Sequence, residues 1–337
     1  MFIKKVERYE KSICRAFIRI VYLCMEVYTI GFLSTRFGIH SNMNTSYFCI
    51  AGHTLAIHLR GGWSIESLLP EFLPFAIDPA KDTPILFSLT LSSEIPVCDI
   101  PFGEEVVRFD WEDARCTINR TEGNHEIQIT PAKTKRTHRM CTNSDFSCAT
   151  VYLNEDDNAA SFILNNFLMM LYAFSGATHA TLMLHASVVT KDGRGYLFLG
   201  KSGTGKSTHS RLWVKHIEDA DLLNDDNPIV RLYPNRKVMV YGSPWSGKTH
   251  CYKNEGASVG AFVRLKQAQE NRIRREKTVN AFASLLPSCS CLKQDRNIFD
   301  PVCDSIGRIV SSIPVYYLEC LPNEEAALLC YNSIHRP

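Results

Sequence analysis

The chain has almost no excess of charge of either sign. Its 337 residues include 37 lysines and arginines and 35 aspartates and glutamates, which leaves a net charge of +2. Proteins that bind nucleic acid or anionic membranes through bulk electrostatics carry a larger positive excess. The one local basic cluster, at 272–277, has the alternating spacing of an exposed strand, and we interpret it as a solvated face. We therefore expect no nucleic acid among the partners.

The 13 cysteines lack the spacing of a metal site. No Cys-x-x-Cys pair occurs, and Cys289 and Cys291 form only a Cys-x-Cys. A structural zinc ion needs four ligands at recognisable spacing, which the sequence does not offer. Because the count is odd and no secretory signal is recognised, we expect reduced, mostly buried thiols in a cytoplasmic protein.

A long hydrophobic run without charges is also missing. The most apolar stretch, 16–33 (AFIRIVYLCMEVYTIGFL), contains Arg19 and Glu26, which argue against a membrane span. No small-residue cleavage site follows it, which argues against a signal peptide. Globular patterning begins at Met43. We expect residues 1–42 to be a poorly structured extension, of the kind that an upstream start codon would add.

The sequence does contain a complete phosphate-binding loop pattern at 200–207 (GKSGTGKS). An apolar, β-prone run precedes it, and the following residues, 207–217, lack proline and glycine and have helical spacing. A strand, a glycine loop and a helix direct backbone N–H groups and the positive helix end at phosphate oxygens. We expect Lys206 to reach the β- and γ-phosphates and the Ser207 hydroxyl to bind Mg²⁺. The predicted nucleotide-binding residues are Gly200, Ser202, Gly203, Thr204, Gly205, Lys206, Ser207 and Thr208.

The same pattern occurs a second time at 242–249 (GSPWSGKT). A plausible strand precedes it, but 251–260 contains two glycines and little helical periodicity. Pro244 also removes one of the N–H donors that an anion-binding loop needs. Two interpretations remain for this second loop. It is either a loop beside the active site, in which Lys248 faces phosphate or substrate as a catalytic cation, or a surface turn after a hairpin.

A P-loop enzyme needs a further Mg²⁺ ligand, usually a carboxylate at the end of a neighbouring strand. The run 220–226 (ADLLNDD) ends in Asp225 and Asp226, 19 and 20 positions after Lys206. Two adjacent carboxylates can divide the work, one on the metal and one near an acceptor hydroxyl. The alternative is an acidic turn that leads into Pro228.

His185 lies in an apolar run, 182–189, that is predicted to be one strand next to the glycine loop. A single histidine in a strand is either a hydrogen-bonded core residue or a catalytic one. The position beside the glycine loop favours a functional role. We therefore include His185 among the catalytic candidates, with Asp225 and Lys248.

The rest of the pattern predicts an α/β protein whose N-terminal part is rich in strands. Residues 43–150 contain no catalytic constellation, so we expect them to form a substrate-docking or structural β domain, followed by a nucleotide-binding domain at 151–337. The segment 131–146 is polar and basic and is predicted to be an exposed connection. Strands are predicted at 48–59, 85–91, 106–111, 125–130, 229–232, 237–241, 258–265 and 315–320, and helices at 158–174, 279–286 and 324–334.

At His185, the loop 200–207 and the Asp225–Asp226 pair, the chain resembles the kinase domain of the HPr kinase/phosphorylase family and, more distantly, phosphoenolpyruvate carboxykinase. The similarity covers about 185–232 and continues more weakly to about 334. It implies an α/β P-loop kinase domain of HPr kinase and phosphoenolpyruvate carboxykinase type, with a β-rich N-terminal domain. It also implies that ATP and Mg²⁺ bind at Lys206 and Ser207, that Asp226 is a metal ligand and that Asp225 is the base.

Two features depart from these families. The glutamate–arginine–glycine signature that follows the acidic pair in HPr kinases is absent, and the metal ligands of the carboxykinases are not identifiable. The resemblance thus implies a divergent branch, and such branches include kinases that phosphorylate seryl groups of peptides. We expect an ATP- and Mg²⁺-dependent kinase whose acceptor is a hydroxyl on a protein, peptide or small molecule. A seryl hydroxyl is the acceptor that we expect first.

Two other functions remain open at this point. One is a switch that hydrolyses ATP or GTP without a dedicated acceptor, and the other is a nucleotide-binding module without phosphotransfer. The glycine loop recognises phosphates rather than the base, so ATP and GTP are both possible ligands. A monomer and a homo-oligomer are equally compatible with the pattern.

Overall fold

Two nine-stranded mixed sheets with helices between and beside them make up the described residues of the computed structural model. These residues are 44–60, 62–92, 103–110, 113–121, 123–153 and 159–335. From Asn44 onward the chain forms one compact unit. The structure is thus of the mixed α/β class, as predicted. The expected extension 1–42 and the apolar run 16–33 lie outside the described residues, and the domain boundary near residue 150 stays a prediction.

The first sheet contains every strand of the N-terminal part, in the order β3-β1-β2-β4-β9-β8-β7-β6-β5. The β2–β4 and β4–β9 pairs are parallel and the other pairs are antiparallel. Its elements are β1 Asn44–Ile50, β2 His53–Leu59, α1 Ile65–Leu68, a 3₁₀ helix Pro70–Phe75, β3 Ala76–Ile77, β4 Ile85–Ser92, β5 Glu104–Asp110, β6 Ala114–Thr121, β7 Asn124–Pro131, β8 His138–Asn143 and β9 Cys148–Tyr152.

Two predictions for this sheet are wrong in detail. The run 48–59 is not one strand, because Ala51 and Gly52 adopt positive φ angles of 50° and 74° and turn the chain between β1 and β2. The segment 131–146 is not an exposed connection, because β8 lies inside it. Alternate β8 side chains, His138, Met140 and Thr142, are buried, so the short period-2 pattern outweighs the basic composition.

The predicted long helix is α2 Ala160–Ala177, which packs against β4 of the first sheet and β10 of the second. Its buried side chains join those of both sheets in one hydrophobic cluster. Within the described residues it is the one helix long and apolar enough to cross a membrane. However, 72% of it is buried inside the protein, which is typical of a core helix.

The second sheet has the order β10-β14-β15-β16-β12-β11-β13, and β18 and β17 extend it from β16. The β12–β16 and β16–β18 pairs are parallel, and their helical connections cover the sheet. Its elements are β10 Thr181–Met183, β11 Ala186–Lys191, β12 Arg194–Leu199, α3 Lys206–His216, β13 Asp221–Asp226, β14 Ile229–Leu232, β15 Val238–Tyr241, β16 Gly256–Gln267, β17 Arg272–Arg275, α4 Thr278–Leu285, α5 Arg296–Ser312, β18 Val315–Cys320 and α6 Glu324–Ile334.

The predicted strand 182–189 is interrupted at Leu184 and His185, so His185 does not lie within a strand. Pairs on both sides of the interruption, Met183 with Ile229 and Ala186 with Asp226, share one antiparallel register. β10–β11 and β13–β14 are thus one ribbon that opens at its middle. Pro228 explains the opening, because it accepts from the Leu184 N–H at 3.1 Å but has no N–H to return.

The amphipathic helix α5 is absent from the sequence prediction. Pro301 and Gly307 lie inside it and obscure the helical pattern. The Asp295 side chain caps the helix by accepting from the Asn297 N–H at 2.9 Å. The other predicted helices of this half, α3, α4 and α6, are confirmed with ends shifted by one residue at most.

The expectation of mostly buried thiols is wrong for the cysteines that the structure describes. Ten described cysteines are free: Cys116, Cys289 and Cys330 are buried, Cys148 is exposed, and the other six are half-buried. Burial nevertheless raises the pKa of several thiols, among them Cys320 to about 11, which keeps them protonated at neutral pH.

A pH-dependent stability follows from His209 on α3, which is 3% exposed and accepts the indole N–H of Trp213 at 3.1 Å. Burial lowers the pKa of His209 to about 4, whereas the unfolded chain titrates near 6.5. Between these values the unfolded state binds a proton that the folded state does not, so stability falls as the pH falls. We expect this difference in proton binding at His209 to lower the free energy of unfolding by about 2 kcal/mol between pH 7 and pH 5.

Urea unfolding of the wild type and of His209→Gln at both pH values measures this effect. The variant should be less stable at pH 7 and should lose less stability on acidification. Other titrating groups, including the buried His53, act equally in both proteins and cancel from the difference. Equal losses in the two proteins would show that His209 does not titrate in this range.

Candidate active site at the glycine loop

The loop 200–205 joins β12 to α3, as the pattern predicts. Gly203 and Gly205 have φ angles of 76° and 102°, which residues with a Cβ rarely adopt. A Cβ at either position would meet no other atom within 4 Å, so both glycines face open space at the start of α3. This open backbone surface has the form of an anion cradle.

The loop is held from two sides. Thr204 donates to the Lys201 carbonyl through its backbone N–H at 3.1 Å and through its hydroxyl at 2.6 Å. The Gln267 side chain, at the end of β16, donates to the Gly203 carbonyl at 3.1 Å. The Lys201 and Gly203 carbonyls are therefore hydrogen-bonded within the protein, and they do not compete for donors on the open side of the loop.

Lys206 is the first residue of α3 and is only 9% exposed. Its Nζ donates to the Nε2 of His185 at 2.8 Å and to the Gly200 and Lys201 carbonyls at 3.1 and 3.4 Å. Burial lowers the pKa of Lys206, and the charges of Asp226 and Asp225 oppose this effect. The ammonium group is thus held at the closed end of the loop, beside the acidic pair.

His185 joins Lys206 to Asp226. An ammonium group has no acceptor, so the Nε2 of His185 accepts, and the Nδ1 carries the ring proton. That Nδ1 lies 3.0 Å from the Oδ1 of Asp226, to which it donates. The ring is held in place because its backbone N–H donates to the Ser288 carbonyl at 2.7 Å. The opened ribbon therefore positions a continuous chain from lysine through histidine to aspartate.

Asp225 and Asp226 end β13, and their side chains have different partners. The Oδ2 of Asp225 accepts the Thr249 hydroxyl at 2.6 Å, while its buried Oδ1 has no hydrogen bond among the described residues. The Oδ2 of Asp226 accepts from the Asn227 amide at 2.9 Å. Asp226 is thus hydrogen-bonded to His185, and Asp225 is hydrogen-bonded to the second loop.

The second loop, 242–249, lies against this acidic pair. The Ser246 hydroxyl accepts from the Asp225 N–H at 3.1 Å, and a Cβ on Gly247 would lie 3.0 Å from the Cβ of Asp226. A Cβ on Gly242 would lie 2.1 Å from the Lys253 carbonyl oxygen. Its glycines therefore serve close packing, and no helix follows the loop, as predicted. Lys248, between Gly247 and Thr249 in the chain, is exposed, and its contact with phosphate stays a prediction.

Trp245 attaches the second loop, to which it belongs, to the 3₁₀ helix of the N-terminal half and to α2. Its buried ring lies 5.6 Å from Phe72 of the 3₁₀ helix and 5.4 Å from Tyr172 of α2, measured between centroids. The indole N–H donates to the Asn165 carbonyl at 3.3 Å. These contacts fix the loop where Gly247 and Thr249 meet the carboxylates.

The donors near the loop suit a magnesium ion better than a softer metal. Among the described residues, no cluster of three histidine, cysteine or acidic side chains could hold a metal by itself. Mg²⁺ needs no such cluster, because one or two protein oxygens, water and phosphate oxygens complete its shell. The predicted ligands Ser207 and Asp226, one hydroxyl and one carboxylate, are of this kind, and their metal role stays a prediction.

Sequence reasoning missed several residues that the structure brings to the site. Ser246 and Thr249 contact Asp225, Gln267 holds the loop, and Arg264 lies near enough to lower the pKa of Lys206 by charge repulsion. The repeated pattern at 242–249 was a signal for Ser246 and Thr249. Gln267 and Arg264 had no signal, because they reach the site only through the β12–β16 pairing.

Comparisons with known proteins give little beyond these contacts. No protein-family model matches the chain, and no curated protein matches it in sequence. A solved structure of the Hpr(Ser) kinase/phosphatase from Coxiella burnetii is similar over 44% of this chain and 91% of its own, with 14% identity and a TM-score of 0.26. So low a TM-score carries no argument about function.

The close approach of the second loop predicts a strict need for glycine at 247, where φ is 55° and the Asp226 side chain leaves little space. We expect Gly247→Ala to reduce the free energy of unfolding by about 1–3 kcal/mol. Gly307→Ala is the matched control, because that position lies in α5 with no atom near the added Cβ. It should gain up to about 1 kcal/mol. Urea unfolding measures both, and equal effects would mean that the loop does not press on Asp226.

Proposed function

We propose that the protein is an ATP- and Mg²⁺-dependent kinase that transfers the γ-phosphoryl group to a hydroxyl acceptor. The observation that carries this proposal is the hydrogen-bonded chain from Lys206 through His185 to Asp226, next to Asp225. It joins the phosphate-binding lysine to a carboxylate pair, which phosphate binding alone does not require. Phosphoryl transfer does require both, together with a positioned acceptor.

The nucleotide would bind with its phosphates on the open side of the glycine loop. Backbone amides of the loop other than that of Thr204, which donates to the Lys201 carbonyl, would supply the donors together with the Lys206 ammonium. A cleft of about 440 Å³ adjoins the loop, with Thr208, Leu212, Leu265, Gln267 and Pro322 in its walls. Its mixed apolar and polar lining is suited to a nucleoside.

Ser207 and Asp226 would hold the magnesium ion, which neutralises phosphate charge when bound. The role of His185 is then to orient Asp226, as a hydrogen-bonded partner does for a metal-ligating carboxylate. The same ring keeps Lys206 directed at the loop. Its ammonium is held by His185 and two carbonyls, all of which are hydrogen-bond acceptors that a phosphate oxygen can replace.

Asp225 would act as the base. It accepts the proton of the acceptor hydroxyl while the hydroxyl oxygen attacks the γ-phosphorus. Lys206, Arg264 and the exposed Lys248 place positive charge around the transferring group. The acceptor is a seryl or other hydroxyl on a protein, peptide or small molecule. The β-rich part is then a docking surface, and the protein acts in the cytoplasm.

Two substitutions separate ATP binding from transfer. Lys206→Ala should weaken ATP binding about 10- to 100-fold, because it removes charge-assisted hydrogen bonds to phosphate. Asp225→Asn should leave ATP binding largely unchanged and reduce transfer about 10²- to 10⁴-fold, as the loss of a general base does. Lys215→Ala, at the exposed end of α3, is the control and should change neither.

Calorimetry measures ATP binding, and transfer is measured from γ-labelled ATP to protein and peptide fractions of lysate from the native cell. Unchanged transfer by Asp225→Asn would remove this residue from the role of base. Phosphate release to water without any labelled acceptor would favour a hydrolysing switch. ATP binding without either product would favour a nucleotide-binding module.

The role of His185 is tested by its replacement. We expect His185→Ala to reduce kcat/KM for the labelled transfer about 10- to 100-fold, because Lys206 and Asp226 each lose a hydrogen bond. His185→Gln keeps one acceptor and one donor and should recover part of the loss. Equal loss in both variants would point to a role of the ring itself rather than to positioning.

A further inference from the structure

We propose that Thr249 is itself a phosphoryl acceptor, so that the protein phosphorylates its own second loop. The inference rests on the proposed function, because it uses the same nucleotide and the same base. What it adds is an acceptor that is already present in the chain.

The Thr249 hydroxyl makes the contact that general-base catalysis requires. It donates to the Oδ2 of Asp225 at 2.6 Å, inside the range of about 2.6–3.2 Å expected between a base and the proton that it removes. Among the described residues, it is the one hydroxyl hydrogen-bonded to this carboxylate. Ser246 also contacts Asp225, but its hydroxyl accepts from the backbone N–H and is buried.

The fold of the second loop presents this hydroxyl. Gly247, in the left-handed region, turns the chain against Asp226, and the Thr249 N–H closes the turn on the Ser246 carbonyl at 3.2 Å. Thr249 is half-buried, whereas its neighbours Lys248 and His250 are exposed. The hydroxyl is therefore fixed on the base by its backbone, at the open edge of the site.

Two lysines bring positive charge to this site. Lys248 immediately precedes Thr249, and the charges of both Asp225 and Asp226 act on the Lys206 ammonium. The acceptor oxygen, its base and the phosphate-binding cation thus belong to one site. An external substrate must displace Thr249 from Asp225 before it can be activated, so Thr249 is the acceptor favoured by proximity.

The reaction balances without a further reactant. A bond forms between the Thr249 Oγ1 and the γ-phosphorus, and the bond from the γ-phosphorus to the bridging oxygen of ADP breaks. The hydroxyl proton passes to Asp225, and ADP leaves. The product is a phosphothreonine with a charge of about −1.5 to −2 beside two carboxylates. Like-charge repulsion then drives the second loop away from the acidic pair.

The purified full-length chain, incubated with γ-labelled ATP and Mg²⁺, tests the proposal. We expect incorporation that approaches one phosphate per chain, located at Thr249 by peptide mass spectrometry. Thr249→Val keeps the shape of the side chain and removes the acceptor hydroxyl. It should reduce incorporation at least about tenfold, because labelling of any other hydroxyl would lack the base assistance, which contributes about 10²- to 10⁴-fold in rate. Thr249→Ser should retain it, and Thr278→Ala, at an exposed threonine of α4, should match the wild type.

The kinetic order of self-labelling with respect to protein concentration provides a second measurement. It uses the wild type, so it does not depend on whether a variant folds. Because Thr249 contacts Asp225 of the same chain, the fraction labelled per minute should not depend on protein concentration. A rate proportional to concentration would overturn transfer within one chain. Unchanged labelling of Thr249→Val would overturn Thr249 as the acceptor.

The outcomes also separate this inference from the proposed function. If the wild type labels a lysate acceptor but not itself, Thr249 is not an acceptor and the kinase proposal stands. If the protein binds ATP but labels neither itself nor the lysate, the kinase proposal fails as well. Asp225→Asn should abolish self-labelling, and labelling that survives in this variant contradicts the assigned base.

Discussion

The burial of Lys206 is the constraint on which the rest of the site depends. An ammonium group with so little exposure is costly unless acceptors surround it, and the lowered pKa of Lys206 reflects this cost. Two loop carbonyls supply part of the compensation, and His185 supplies the remainder. His185 lies where the ribbon opens opposite Pro228, and its own N–H donates to the Ser288 carbonyl. The break between β13 and β14 at Pro228 thus contributes to the position of an acceptor for the lysine of α3.

The sequence could predict the local parts of this arrangement. The strand, loop and helix around 200–207 follow from neighbouring residues, and so does the strand that ends in Asp225 and Asp226. The opening of the ribbon could not be predicted, because Pro228 acts on Leu184 across a strand pair and not along the chain. For the same reason no pattern indicated that Gln267 would hold the loop.

The two copies of the sequence pattern place several of their glycines in different surroundings. In the first loop, Gly203 and Gly205 face open space and leave backbone amides accessible. In the second, a Cβ on Gly242 would clash with the Lys253 carbonyl oxygen, and one on Gly247 would lie 3.0 Å from the Asp226 side chain. A pattern records that glycine is present but not which constraint demands it. The following helix, present only after the first copy, was therefore the informative difference, and it was predicted correctly.

The second loop also shows why the acidic pair cannot be understood from the second sheet alone. Trp245 fixes this loop through Phe72 and through the Asn165 carbonyl, and the Asn165 amide in turn donates to Glu71 at 2.6 Å. Glu71 and Phe72 belong to the N-terminal half. Without them the buried indole would lose an aromatic partner, and the turn that places Thr249 on Asp225 would lose its support. The strand-rich half therefore contributes to the site by holding the loop, although none of its own side chains reaches the carboxylates in the contacts described.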